Sequence, residues 1–190
     1  MTSTITTTMT MTTMTTLCRH HPTGYRQSLI NLDQKLHESQ FAEWPNMCAL
    51  LVKVLRIQGG KQSQHGWLCL QGVYNSGASL ISPQWVITAA HTLPQSLVGV
   101  VRCGDWDTAG DTELYNHQER VVSRVVYHPG YDRVRGARGN LWHDLALLQT
   151  DQPFTLAPHV DTVCLPPPGR YFDSPKLYIT RLLNEHFAQS

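Results

Sequence analysis

Between Glu43 and Leu165 the chain repeats one pattern, a short apolar run followed by a turn signal. The runs are Met47 to Ile57, Gly77 to Thr88, Leu97 to Cys103, Val121 to Tyr127 and Leu145 to Leu148. They are rich in Val, Leu and Ile and too short for most helices. Between them stand Gly59-Gly60, Asn75-Ser76-Gly77, Ala109-Gly110-Asp111, Pro129-Gly130 and Gly136 to Asn140, residue types that accept the backbone angles of tight turns. Strands punctuated this regularly predict an all-β sandwich or barrel.

The flanks read differently. Residues 1–16 are ten Thr, four Met, one Ser and one Ile, with neither a basic n-region nor an apolar h-region, so no secretory signal is visible. We read residues 1–17 as a disordered low-complexity leader and 18–42 as a polar lead-in, with Leu29, Leu32 and Leu36 weakly at helical spacing. Past Ser174-Pro175, which suit N-cap and N1 positions, Ile179, Leu183 and Phe187 recur every fourth residue. That predicts a short C-terminal helix in a tail over 173–190, after a domain over 43–172.

Composition narrows the function. Fifteen basic against fourteen acidic residues leave a net charge of +1, too balanced for a nucleic-acid groove or a polybasic membrane patch. No apolar run approaches the ~18 residues of a membrane span. Neither nucleic acid nor membrane is therefore expected as a partner. Five cysteines form no Cys-x-x-Cys and ten histidines no His-Glu-x-x-His. Cys18-Arg19-His20-His21 does not make a closed metal shell, so no metal or cofactor is expected. His117, His128, His143 and His159 have no ligand spacing and read as loop histidines, while Trp85 and Trp106 read as barrel packing residues.

Two segments carry chemistry. Trp85-Val86-Ile87-Thr88-Ala89-Ala90-His91 sets a histidine at the end of an apolar strand, and His143-Asp144-Leu145-Ala146-Leu147-Leu148 sets an acid at the mouth of a buried one. A histidine and a carboxylate at strand ends are what a Ser-His-Asp relay requires, since the carboxylate fixes the imidazole tautomer and stabilises the imidazolium. Taken singly, each has an ordinary explanation: a hydrogen-bonded surface histidine and a turn aspartate.

The surrounding strings decide between these. Gly77-Ala78-Ser79-Leu80-Ile81, Trp85 to His91, Asp144 to Leu148 and Val163-Cys164-Leu165-Pro166 resemble, in order and spacing, the trypsin/chymotrypsin-like serine proteases. Glu43-Trp44-Pro45, Val101 to Thr108, His117 to Arg120 and Val160 to Pro166 are similar to arthropod clip-domain serine proteases, and most to their catalytically inactive homologues of the prophenoloxidase-activating cofactor type. The resemblance implies the N-terminal antiparallel barrel of a two-barrel fold, with His91 as general base and Asp144 as its orienting carboxylate. It also implies an extracellular setting and proteins of a protease cascade as partners.

Departures from the family pattern shape the expected activity. The nucleophilic serine of a Gly-Asp-Ser-Gly-Gly segment is absent, and the likeness ends near Tyr171-Phe172-Asp173, so the second barrel with its oxyanion hole and specificity pocket is expected to be missing. Ser79 matches a structural serine of the first barrel. A base and an orienter without a nucleophile cannot run acyl transfer. The expectation is a serine endopeptidase family member that is truncated and inactive; the alternatives are a non-catalytic cofactor or decoy, or a product that continues into the second barrel. Arg56-Ile57-Gln58-Gly59-Gly60 looks like a zymogen activation junction, but it follows Glu43-Trp44-Pro45 instead of preceding it, which assigns it to a hairpin loop. Arg133, Arg135 and Arg138 lie in a loop before Asp144, either solvated or forming a protein-contact patch.

The same resemblance arranges the cysteines. Ser76 and Thr92 stand where the family carries a disulfide beside the histidine, so both ends are lost together. Cys48 and Cys103 fall on strands that neighbour each other in the family barrel and could form a substitute bridge. Cys164 resembles the cysteine that ties the protease domain to its upstream segment, with Cys18 as its partner here. Cys69 is left over, in an insertion before Asn75. Free buried thiols remain the alternative for all five.

Overall fold

The computed structural model describes residues 41–58, 67–94, 99–106, 113–136 and 139–169. Six strands carry the fold: β1 (Met47–Gln58), β2 (Trp67–Ser82), β3 (Trp85–Thr88), β4 (Gly99–Cys103), β5 (Gln118–Tyr127) and β6 (Ala146–Thr150). All neighbours are antiparallel, and the order β1-β2-β3-β6-β5-β4 closes on itself as a barrel. Closure removes the unpaired sheet edges that would otherwise invite association. A single-turn 3-10 helix (Ala90–Thr92) follows β3, and the short helix α1 (Arg133–Gly136) follows β5.

The interior follows the two-residue period of strands. Val86 and Thr88 of β3, and Ala146, Leu148 and Thr150 of β6, point inward while the residues between them are half-buried. Leu50, Leu80, Val86, Val101 and Leu148 are among the fully buried side chains at the centre. Three register shifts bend the wall. One lies between Val122 and Arg124, so that Val122 and Val125, three positions apart, both pack against the core. In another, Leu50 pairs with Ser76 and Leu51 with Tyr74, which leaves Asn75 of β2 without a partner residue.

The β1–β4 seam is locked covalently. Cys48 and Cys103 are directly opposed in the ladder, with Cα atoms 4.2 Å apart, and they form a disulfide. The chain after β6 wraps back on the barrel: Asp161 N–H donates to Pro45 O at 2.8 Å and Val163 N–H to Leu80 O at 2.8 Å, with Phe154 and Val160 buried beneath. Gly104 sits under this wrap at φ +79°, where a Cβ would come within 2.5 Å of the His159 ring.

Several expectations need revision. The run from Gly77 to Thr88 is two strands, because Pro83-Gln84 turns the chain between Ser82 and Trp85. The first hairpin is longer than expected: Arg56 and Ile57 pair with Cys69 and Leu68, so Arg56 to Gln58 belong to β1 and not to a loop, and Cys69 belongs to β2. Trp106 is not a core packing residue; it lies beyond β4 and is 46% exposed. His159 is no solvated loop histidine. It is buried, its Nε2–H donates to Asn116 O at 3.0 Å, and its ring stacks on Tyr115 and Phe41. The leader, the lead-in through residue 40, Cys18, Gly59-Gly60, Ala109-Gly110-Asp111, Arg138 and the tail helix lie outside the described residues.

Candidate active site

Strand register brings the two chemical residues together. Thr88 of β3 pairs with Ala146 of β6. His91 comes three positions after Thr88 and Asp144 two before Ala146, and in an antiparallel pair those directions lead to the same end of the barrel. A separation of 53 residues therefore ends in contact.

Local backbone sets each side chain. After β3, Ala89 is extended, and the 3-10 turn then places His91 on the rim while the small, buried Ala90 lets the turn lie against the core. On the other strand, Leu145 N–H donates to His143 O at 2.7 Å, a three-residue turn with Asp144 at its apex. His143 takes φ 56°, left-handed for a non-glycine residue. Its ring stacks face to face on His128, with centroids 4.6 Å apart, and would collide with any side chain at Gly130. His128 N–H in turn donates to Leu145 O at 2.9 Å, which ties the Asp144 turn to the end of β5.

Asp144 grips His91 with both oxygens. Oδ1 accepts the His91 backbone N–H at 2.8 Å, and Oδ2 lies 2.6 Å from Nδ1. Burial by itself would raise the Asp144 carboxyl, but the hydrogen bonds from the His91 side chain and backbone outweigh it and hold the group below its ordinary value. An ionised carboxylate only accepts, so the proton on that bond belongs to Nδ1. In the neutral ring Nε2 is then the unprotonated nitrogen. The His91 side chain is 44% exposed against 15% for Asp144, so the ring is reachable from solvent while its carboxylate partner is largely covered.

Other sequence candidates separate from this pair. Cys48 and Cys103 are bonded to each other in the wall, and Cys164 is also disulfide-bonded. Ser79 pairs with Ile87 inside the barrel wall, and among the described residues no hydroxyl is hydrogen-bonded to His91. The arginines of α1 are engaged with neighbours: Arg133 lies over the Tyr127 ring at 4.7 Å and Arg135 pairs with Asp132 at 3.4 Å. Beside Asp144, the segment Gly139 to His143 lines a hollow of about 500 Å³ and presents Leu141 and Trp142 to solvent.

Sequence reasoning overlooked two supports of the site. One is the His128–His143 stack, which follows from the pairing of β5 with β6 and has no signature in spacing. The other is the set of hydrogen bonds by which Asn75 and Thr88 join Ser76 and Thr92, a pair legible only as a lost disulfide: Thr92 Oγ1 lies 3.2 Å from Ser76 Oγ and 2.9 Å from Ala89 O. Ser76 and Thr92, expected from the resemblance to replace a disulfide, are thus joined through their hydroxyls.

Comparison with known proteins agrees with this architecture. The family model described as Trypsin matches residues 56–180. The chain belongs to the trypsin-like serine protease family. Among relatives of this trypsin-like chain, phenoloxidase-activating factor 2 of Galleria mellonella is 40% identical over 130 residues, covering 68% of this chain and 40% of the relative. The inactive CLIP domain-containing serine protease A8 of Anopheles gambiae is 35% identical over 104 residues, covering 54% and 27%. Serine protease filzig of Drosophila melanogaster is 35% identical over 128 residues, covering 60% and 7%. This trypsin-like chain spans less than half the length of each of these relatives.

Proposed function

We propose that His91 is the general base and Asp144 the orienting carboxylate of a serine-protease relay, carried on a first-barrel domain over 43–172. The observation that carries this reading is the two-oxygen grip of Asp144 on His91, with Nδ1 held and the side chain partly exposed. In peptide hydrolysis such a base takes the proton of a nucleophilic hydroxyl at Nε2 and returns it to the leaving amine, while the carboxylate stabilises the imidazolium between the two steps. No serine in these 190 residues stands in a Gly-Asp-Ser-Gly-Gly segment. By themselves they supply half of the chemistry and do not hydrolyse peptides.

A second reading, a non-catalytic cofactor or decoy in an extracellular protease cascade, draws support from similarity to a relative named a phenoloxidase-activating factor and to one named inactive. The Cys48–Cys103 disulfide and the bonded Cys164 fit an oxidising compartment. The test of both readings is one preparation. The purified chain is expected to leave a fluorophosphonate probe unreacted and ester substrates uncleaved, yet to be retained by an immobilised active trypsin-like protease. Stoichiometric serine labelling overturns the inactive reading, and absence of retention removes the cofactor reading.

A further inference from the structure

The 3-10 turn bearing His91 is weakly held by its own backbone. Leu93 N–H donates to Ala90 O at 3.2 Å, and no side chain caps the turn's N-terminus. Such short turns have poor hydrogen-bond geometry and do not hold a side chain in one place. Asp144 grips the turn at its middle, through the His91 N–H and ring. What grips its end is Asn75. Its Nδ2 donates to Thr92 O at 2.9 Å across a sequence distance of 17 residues. A carbonyl only accepts, so the amide orientation is fixed and the nitrogen faces Thr92.

Asn75 can reach there because of its place in β2. It is the extra residue of the register shift, between Ser76, which pairs with Leu50, and Tyr74, which pairs with Leu51. A bulge of this kind re-aims a side chain that the regular pleat would point elsewhere. The next residue extends the contact: Ser76 Oγ lies 3.2 Å from Thr92 Oγ1 and 3.5 Å from Thr88 Oγ1, and the Thr88 hydroxyl donates to Gly77 O at 2.8 Å. Both ends of the segment from Thr88 to Thr92 are thereby tied to one short stretch of β2.

We propose that Asn75 is a positioning residue for His91: the β2 bulge aims its amide at the Thr92 carbonyl and so holds the histidine turn against Asp144. This rests on the reading of His91 and Asp144 as a working pair.

The test uses the full chain and NMR of the His91 ring. In the native chain the Nδ1 proton is expected far downfield and protected from solvent, and Asp144→Asn abolishes that protection. Asn75→Leu, of similar size and without a donor, should leave the barrel folded by near-ultraviolet circular dichroism. It should speed exchange of the Nδ1 proton by about fivefold, the factor one net hydrogen bond supplies, and raise the Asp144 titration midpoint toward the ordinary carboxylate value. Asn75→Gln, which keeps the donor, should restore most of the protection. Unchanged exchange and an unchanged Asp144 midpoint in folded Asn75→Leu overturn the proposal while leaving the His91–Asp144 pair intact. A native ring without a protected Nδ1 proton sinks the pair itself. Should Asn75→Leu unfold, the role is structural and the proposal is likewise overturned.

Discussion

Two places in this barrel are cross-linked by side chains, and they are built in opposite ways. At the β1–β4 seam Cys48 and Cys103 are bonded covalently, although backbone pairing already sets those strands in register. At the rim Ser76 and Thr92 meet only through hydroxyls, although the turn they tie carries His91 and has little backbone support. A disulfide across a formed ladder acts mainly on the unfolded chain, by removing its entropy. A hydrogen bond onto a short turn acts on where the turn sits in the folded state. The seam therefore serves stability, and the rim serves position.

Breaking the seam should have the largest effect. Joining residues 55 apart is worth about 4 kcal/mol in the chain-entropy model. Cys48→Ala with Cys103→Ala should thus lower the urea midpoint sharply, measured by chemical denaturation. The proton exchange of the His91 ring in the fraction still folded should not change. A faster His91 exchange there would erase the distinction between seam and rim.

Converting the rim to the seam's chemistry comes next. Ser76→Cys with Thr92→Cys should oxidise and raise the thermal midpoint, with roughly 3 kcal/mol as the upper expectation for a loop of this length. The oxidised form should also slow exchange at His91, something no change at Cys48–Cys103 would do. Failure to oxidise would mean that the two side chains do not face each other in solution.

A smaller effect separates charge from position. Asp144→Asn keeps the shape but loses the charge-assisted bond to a partly exposed ring, at a cost of about 1 kcal/mol. The folded carboxyl titrates below its unfolded value of about 3.9. Its contribution is therefore complete above that value and fades as pH falls through the folded one. Native and Asp144→Asn stabilities should differ above about pH 4 and converge in stronger acid, measured by denaturation across pH. A gap that persists at low pH would assign the loss to packing.

A second aspartate makes the sign instructive. Asp105 pairs with Arg102 at 3.0 Å, yet its carboxyl is raised, because burial outweighs the help from the guanidinium. Arg102 is raised too: burial lowers it, but Asp105 and Glu119 together do more. The charged form is thus disfavoured at the acid and favoured at the base of the same contact. The Asp105 side chain is 3% exposed against 27% for Arg102, so desolvation falls on the acid, and we take this pair as satisfied without being stabilising. The rim pair differs because its carboxylate gains two hydrogen bonds at less cost of burial.

The sequence made strands legible at short apolar runs, as at Leu97 to Cys103, which contains β4, and Leu145 to Leu148, which overlaps β6. It hid the break at Pro83-Gln84 inside one apolar stretch, and it hid the arm from Trp67 to Gln71, which is named a strand only by its pairing with β1. His91 and Asp144 were legible as strand-end residues, and the family strings gave each a role. Their convergence was implied by the resemblance alone, which pairs a base with its carboxylate; spacing did not show the Thr88–Ala146 register that delivers it, a pairing between segments far apart in the chain. Asn75 was invisible for a related reason: as Asn-Ser-Gly it reads as a turn, and only a bulge in a long strand gives its amide a target.

The barrel's own register delivers His91 to Asp144 in one tautomer. Long-range nitrogen–proton NMR of the ring reads this directly, at a pH where the imidazole is neutral. We expect Nδ1 protonated and Nε2 bare in the native chain, and loss of that preference in Asp144→Asn. A native His91 that carries its proton on Nε2, or a tautomer mixture unmoved by Asp144→Asn, would contradict the account.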